Sequence, residues 1–313
     1  MSTVPSRRFT AAKECFTLQR NDAAARRAVQ DLVDVHFERT SSSWVDIYRR
    51  DDVLSHICQQ RLNIALAWVD QLRLPAGSEV LEVGCGAGLT AVALARRGLR
   101  VHAIDAVPTM IELTRAHAAE AGLSDAVDVG LGDVHALRFD DEAFDLVVAL
   151  GVLAWLHSPL MALQEMARVT RTGGTVIVTA NNAARLNYLL DPWFNPHLAS
   201  TRAVVKRILR RGGRPGGPRA NLHSLDEVER MLSSAGLVKQ KGQTIGHGPF
   251  TFMKRQVLSN RAGMEIHRRL QRRADRGNAW IAARGSTFIV AARKEPSRSL
   301  RPARSAQTGE KGG

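Results

Sequence analysis

The run Val80-Leu81-Glu82-Val83-Gly84-Cys85-Gly86-Ala87-Gly88 restricts this chain more than any other part of it. A short apolar strand candidate ends in three glycines at alternate positions, and an Ala/Leu-rich helical stretch, Leu89–Arg97, begins at once. Side chains are missing where a strand must turn tightly into a helix. The backbone can therefore approach a ligand closely, and the start of the helix offers N–H groups that have no partner within it. In open sheets, ligands sit at the carboxyl ends of the strands, beside such turns.

The surrounding pattern agrees. From Glu79 to Asn182 short apolar runs (Val80–Val83, Val101–Ile104, Val127–Val129, Leu146–Leu150, Val176–Thr179) alternate with helical stretches such as Leu89–Arg97, stopped by Gly98, and Met110–Ala121, stopped by Gly122. That alternation predicts a parallel sheet covered by helices. Upstream, Leu54, Ile57, Cys58, Arg61, Leu62, Ala65 and Leu66 recur at helical spacing until Pro75-Ala76-Gly77 breaks the chain. Downstream, an irregular segment with aromatics, 190–196, precedes a basic amphipathic helix candidate, Thr201–Arg211, and a Gly/Pro loop, 212–218. A capping box, Ser224-Leu225-Asp226-Glu227, then opens a helix that ends at Gly236. A strand is expected over Val238–Ile245. A helix with apolar residues four apart (Ala262, Ile266, Leu270, Ala274) follows, then a last strand over Thr287–Ala292.

Asp105 adds a second constraint. It lies twenty-one residues after Gly84, at the end of the second apolar run, and its two acceptor oxygens suit the two hydroxyls of a ribose. Dinucleotide enzymes share this feature, but their fingerprint is G-x-G-x-x-G, whereas the third glycine here comes one residue early. Three further features follow: Gly132-Asp133 after the third strand, Phe144–Ala149 as the fourth, and Arg168–Gly174 turning into the fifth.

The series resembles the class I S-adenosylmethionine (SAM)-dependent methyltransferases over roughly residues 45–295, most specifically over 79–181. One departure is the turn Thr172-Gly173-Gly174, which lacks the usual proline. The resemblance implies an α/β, Rossmann-like, doubly wound mixed sheet of seven strands with the last antiparallel. An N-terminal helical cap (1–74) would precede the SAM-binding core (75–181), an inserted lid (182–222), the C-terminal part of the core (223–294) and a disordered basic tail (295–313). It also implies site roles. Glu82 would neighbour the amino-acid end of SAM, and the backbone of Gly84, Cys85, Gly86 and Gly88 would cradle it. Asp105 would take the ribose, with Ala106 and Met110 beside it. Asp133, after Gly132, would take the adenine amino group and Val134 the adenine face. Leu150 and Gly151 would lie beneath the methionine portion, and Tyr48 and Arg61 could close over its carboxylate.

A methyl acceptor protonated at working pH needs a base. His157, just after the fourth strand, His223, before the capped helix, and His247, in Gly246-His247-Gly248-Pro249, are the candidates, with His157 more readily read as a loop histidine bonded to backbone. The cysteines and histidines give no metal-ligand spacing, so no metal is expected. Charge is uneven: residues 1–200 carry 19 Lys/Arg against 23 Asp/Glu, net −4, and residues 201–313 carry 25 against 7, net +18. The basic part could rest on an anionic membrane through 201–211, serve an anionic substrate, or simply be a solvated face. Nucleic acid as a substrate is disfavoured, because Leu150-Gly151-Val152-Leu153 stands where base-amino methyltransferases carry Asn/Asp-Pro-Pro-aromatic. No apolar run approaches the roughly 20 residues of a bilayer span and residues 1–20 lack a secretory layout, so the expected location is cytoplasmic. The leading expectation is methylation of an O, N or C atom of a small organic acceptor in biosynthesis. The alternatives are an RNA methyltransferase, a non-catalytic SAM-binding partner subunit and, weakest, an NAD-dependent oxidoreductase.

Overall fold

The computed structural model describes residues 27–41, 44, 47, 50–195, 198, 200–201, 218–253 and 255–296. Tyr48, nearly all of the basic helix candidate 201–211 and residues 297–313 of the expected tail lie outside these described residues.

Seven strands form one sheet: β1 (Glu79–Val83), β2 (Arg100–Asp105), β3 (Val127–Leu131), β4 (Phe144–Ala149), β5 (Thr170–Asn181), β6 (Leu237–Ile245) and β9 (Thr287–Lys294), in the order β3-β2-β1-β4-β5-β9-β6. Strand β9 runs antiparallel to both its neighbours, and the rest of the sheet is parallel. A two-residue hairpin, β7 (Thr251–Phe252) with β8 (Arg255–Gln256), lies apart. The expected mixed sheet with its last strand antiparallel is therefore the observed one.

The α-helices among the described residues include α1 (27–41), α2 (Val53–Leu72), α3 (Leu89–Ala95), α4 (Pro108–Glu120), α5 (Pro159–Val169), α6 (Leu186–Leu190), α7 (Leu225–Ser234), α8 (Asn260–Asp275) and the short α9 (Ala279–Ala282). Strand side chains alternate between faces, and this divides the core in two. Leu81, Val83, Val147, Val176 and Val178 pack with Leu163 and Met166 of α5 and Leu232 of α7. Val80, Val101, Leu146, Val148 and Ile177 pack with Trp68 of α2, Leu94 of α3 and Ile111 of α4. Strands covered on both faces read as continuous apolar runs, which is why their positions are visible in the sequence. Among the described residues, no helix is long and apolar enough to cross a membrane.

Two local expectations are corrected. The stretch read as a turn into the fifth strand has its first two residues, Arg168 and Val169, at the end of α5, and the rest belongs to β5 itself, with a register irregularity: Phe144 pairs with Thr170 but Leu146 with Thr175. Gly173 takes φ +80° there, so the extra residues bulge out while pairing resumes. In α8 the row Ala262, Ile266, Leu270, Ala274 does not face the core; Gly263, Met264, His267 and Gln271 do. The helix is rotated because two polar side chains dock it. His267 Nδ1 accepts the His247 N–H at 3.0 Å, and Gln271 Oε1 accepts the Gly246 N–H at 3.0 Å.

That docking makes stability acid-sensitive. Burial, then the positive charge His56 would carry, lower the His267 pKa to about 4 from its usual 6.5. The unfolded chain takes up this proton near pH 6.5 while the folded chain resists it, so stability is intact above pH 6.5 and falls down to about pH 4. His267 is 1% exposed, and at ~1.4 kcal/mol per unit the loss is roughly 3 kcal/mol. His247 and His56, also lowered by burial, act in the same direction. Urea midpoints should fall between pH 7 and pH 4.5, and His267→Gln should flatten that dependence. An equal slope in the variant would remove His267 from the account.

Candidate functional site

The glycine loop is pinned to the neighbouring strand, with the N–H groups of Gly84 and Cys85 donating to Ile104 O at 2.8 and 3.0 Å. Its three glycines do different jobs. All have positive φ (+69°, +54° and +79°). A Cβ on Gly84 would meet Val152 Cγ2 at 2.5 Å, and one on Gly88 would meet Thr114 Cα at 2.9 Å, so both are required by packing against the protein. At Gly86 a Cβ would meet nothing within 4 Å. The loop thus presents bare backbone to open space at its centre, the cradle that a closely approaching ligand needs.

Asp105 stands against that centre. Its Oδ2 accepts the Gly86 N–H at 3.0 Å and its Oδ1 accepts the Val107 N–H at 3.0 Å. Burial raises its pKa, partly offset by these hydrogen bonds. Glu82, 3% exposed at the end of β1, is pushed up to about 8, by burial first and then by Asp105, against hydrogen bonds from Thr90 and the Ala91 N–H. Its Oε2 is buried without a partner. Cys85 is buried, and Thr114 donates towards its Sγ at 3.3 Å.

At the next strand ends, Gly132 donates to Asp105 O at 3.0 Å and packs on Ile104. Asp133 Oδ1 accepts both the backbone N–H and the ring Nδ1–H of His135, at 2.9 and 2.8 Å. Burial alone would raise the Asp133 pKa; these bonds bring it below the usual value. Val134 is buried in the same core cluster as Ile104 and Leu137, Met110 is buried, and Ala106 is exposed. Beyond β4, Gly151 donates to Thr179 Oγ1 at 2.6 Å, beside half-buried Leu150. A Cβ on Gly151 would come 2.6 Å from Arg61 Nη1, so α2 carries the Arg61 guanidinium to the rim that holds the glycine loop.

The three candidate bases are dispersed. His157 stacks on His135 with ring centroids 3.8 Å apart, and through it is linked to Asp133. His223 Nδ1 lies 4.0 Å from the Glu227 carboxylate and its Nε2 is buried without a partner. His247 is 1% exposed with neither ring nitrogen bonded, and burial lowers its pKa. Sequence reasoning missed His135; the signal for it is Asp133 two residues earlier, an Asx-type turn that fixes the intervening backbone.

Helix α1 lies over these strand ends. Phe37 packs edge-on against Trp155 at 5.1 Å and His36 stacks on it at 6.2 Å. Gln30 Oε1 accepts the His157 N–H at 3.3 Å, and Thr109 hydrogen-bonds Glu38. A cavity of about 640 Å³ opens at the opposite edge, lined by Glu79, Arg100, Val127 and Phe144, the starts of four strands. None of the loop residues or carboxylates above borders it.

Residues 81–178 match the methyltransferase-domain family. The ubiquinone biosynthesis O-methyltransferase of Paracidovorax citrulli is 32% identical over 155 residues, 49% of this chain and 63% of that protein. The enzyme of the same name from Vibrio cholerae is 31% identical over 153 residues, 49% and 61% respectively. The match thus spans less than two thirds of these relatives. In fold, the chain is similar to magnesium protoporphyrin IX methyltransferase of Synechocystis PCC 6803 with bound S-adenosylhomocysteine (SAH), at TM-score 0.57 and 18% identity over 85% of this chain and 100% of that one. The glycine cradle, the acidic residue at the end of β2 and the strand order agree with these likenesses: residues 81–178 match a methyltransferase domain, and the fold is similar to that of a solved methyltransferase.

Proposed function

We propose that the chain transfers a methyl group from SAM to an O, N or C atom of a small organic acceptor in biosynthetic metabolism. The O-methyltransferase relatives favour oxygen. The observation that carries the reading is the open backbone at Gly86 held against the Asp105 carboxylate. Bound there, SAM supplies a methyl on a sulfonium, which is an excellent leaving group. The protein's part is to hold the acceptor in line and exclude water.

Asp105 holds the ribose hydroxyls with lone pairs left over from its two N–H bonds, and Asp133 faces the adenine amino group. Arg61 takes the methionine carboxylate. The loop keeps side chains out of the way, and α1 shields the strand ends through Phe37 and Trp155. An acceptor that is already deprotonated needs no base; a neutral phenol or alcohol would use one of His157, His223 or His247. Calorimetric titration of the full chain with SAM, SAH and NAD tests the proposal. Binding of the first two and not of NAD is expected, and a folded chain that binds neither would overturn it.

Glu82 gives a finer expectation. With a pKa near 8 it is mostly protonated at pH 7, and the ammonium of a bound amino acid would favour its ionised form. SAH binding at pH 7 should therefore release a proton, read as a dependence of binding enthalpy on buffer ionisation enthalpy. Glu82→Gln should lose that dependence; the same buffer slope in both proteins would place the proton elsewhere.

A further inference from the structure

Just past β5 the chain makes a turn, 182–187, that is held firmly. Asn182, 1% exposed, donates through Nδ2 to the carbonyls of Ala283 and Gly285 at 2.9 and 2.8 Å. The Ala183 N–H donates to His223 O at 2.9 Å, and the Leu186 N–H to Arg284 O at 2.9 Å. This turn presents Arg185. Its Nε donates to Asn182 O at 2.9 Å, and its guanidinium lies 4.3 Å from the centroid of Tyr188, which itself stacks on Phe194 at 4.8 Å. Nη2 is buried and has no acceptor, and among the described residues no carboxylate forms an ion pair with Arg185. Burial accordingly lowers its pKa. Beside it, Asn187 is 6% exposed with Oδ1 unpartnered, and His223 keeps an unpartnered Nε2.

Arg185 is half-buried with its Nη2 fully enclosed; a guanidinium so placed without a counter-ion is costly, and a fold carries one most economically where a ligand brings the opposite charge. Position supports this. Thr179 of β5 receives the Gly151 N–H next to Arg61, and Asn182 lies three residues further along, about 10 Å at a strand rise of ~3.3 Å per residue. Arg185 therefore stands on the ligand-bearing edge of the sheet, one strand across from the residues assigned to the methionine portion. Guanidinium geometry favours a carboxylate or phosphate held by two N–H bonds.

We infer that Arg185 is the anchoring group for an anionic methyl acceptor, a small organic molecule bearing a carboxylate or a phosphate. The inference rests on the reading of the chain as a methyltransferase. In the test, the full chain saturated with SAH is titrated with benzoate, phenyl phosphate and neutral benzamide, and SAH affinity is measured separately. At least one anion should bind more tightly than benzamide, and the preferred one distinguishes carboxylate from phosphate. Arg185→Gln should weaken that anion by ~10- to 100-fold, the scale of a charge-assisted hydrogen bond. Arg185→Lys should recover part of the loss by keeping the charge without the fork, and SAH affinity should stay within about twofold, since these bonds are not made to it. Equal binding of benzamide and the anions, or an anion affinity unchanged in Arg185→Gln, would overturn the inference, as would SAH binding with no anion binding. Failure of SAH to bind would overturn the methyltransferase reading instead, and the same three titrations on the ligand-free chain would still judge Arg185.

Discussion

Gly86→Val is expected to abolish measurable binding of SAM and SAH while leaving the chain folded. A branched side chain at φ +54° is strained, costing ~1–2 kcal/mol, so a fall of a few degrees in Tm should accompany the change. The protein does not oppose the new Cβ, which at this position meets no atom within 4 Å. The valine therefore fills the space from which a ligand reaches the loop. Gly88→Val is the contrasting variant. There the Cβ would strike the Thr114 backbone at 2.9 Å, so the expected effect is loss of folded protein. A folded Gly86→Val chain that still bound SAH within tenfold of the parent would remove the glycine loop from the site.

The contrast between these glycines also marks how far the sequence could be read. Three glycines in five residues announce a tight loop, and apolar runs such as Leu146-Val147-Val148 announce strands covered on both faces, because those constraints act within a few residues of chain. Which glycine is left open depends on Val152 and Thr114, far away in sequence, and no local pattern reveals it. The rotation of α8 has the same origin. Apolar spacing nominated Ile266 and Leu270, yet the helix turns His267 and Gln271 inward to satisfy N–H groups of the loop after β6. Asp105 was nominated by its spacing and Arg61 by the family resemblance, and the structure brings both to the carboxyl edge of the sheet. His135 was not read, because its stacking on His157 joins the ends of two different strands. Arg185 gave no signal at all: what sets it apart is an unpartnered Nη2 and no carboxylate counter-ion among the described residues, and that emerges only once the chain is folded.

Asp105→Ala should lower SAH affinity by ~100-fold or more, for reasons beyond the loss of one ligand contact. Each carboxylate oxygen already holds a backbone N–H, of Gly86 and of Val107, so the side chain fixes the loop in addition to its proposed contact with the ribose. Alanine leaves both donors without that acceptor, at a cost of ~1–3 kcal/mol for each that stays buried, and the centre of the glycine loop loses its anchor. Asparagine keeps one acceptor oxygen but must turn an NH2 group toward the other N–H, so Asp105→Asn should fall between alanine and the parent. The ribose contribution separates from loop anchoring in a double cycle with a 2′,3′-dideoxy analogue of SAH. If the carboxylate binds the hydroxyls, removing them should weaken binding to the parent protein strongly and to Asp105→Ala hardly at all. Equal losses in the two proteins would leave Asp105 as an anchor of the loop alone, and the ribose would then have to be held by another group on the rim.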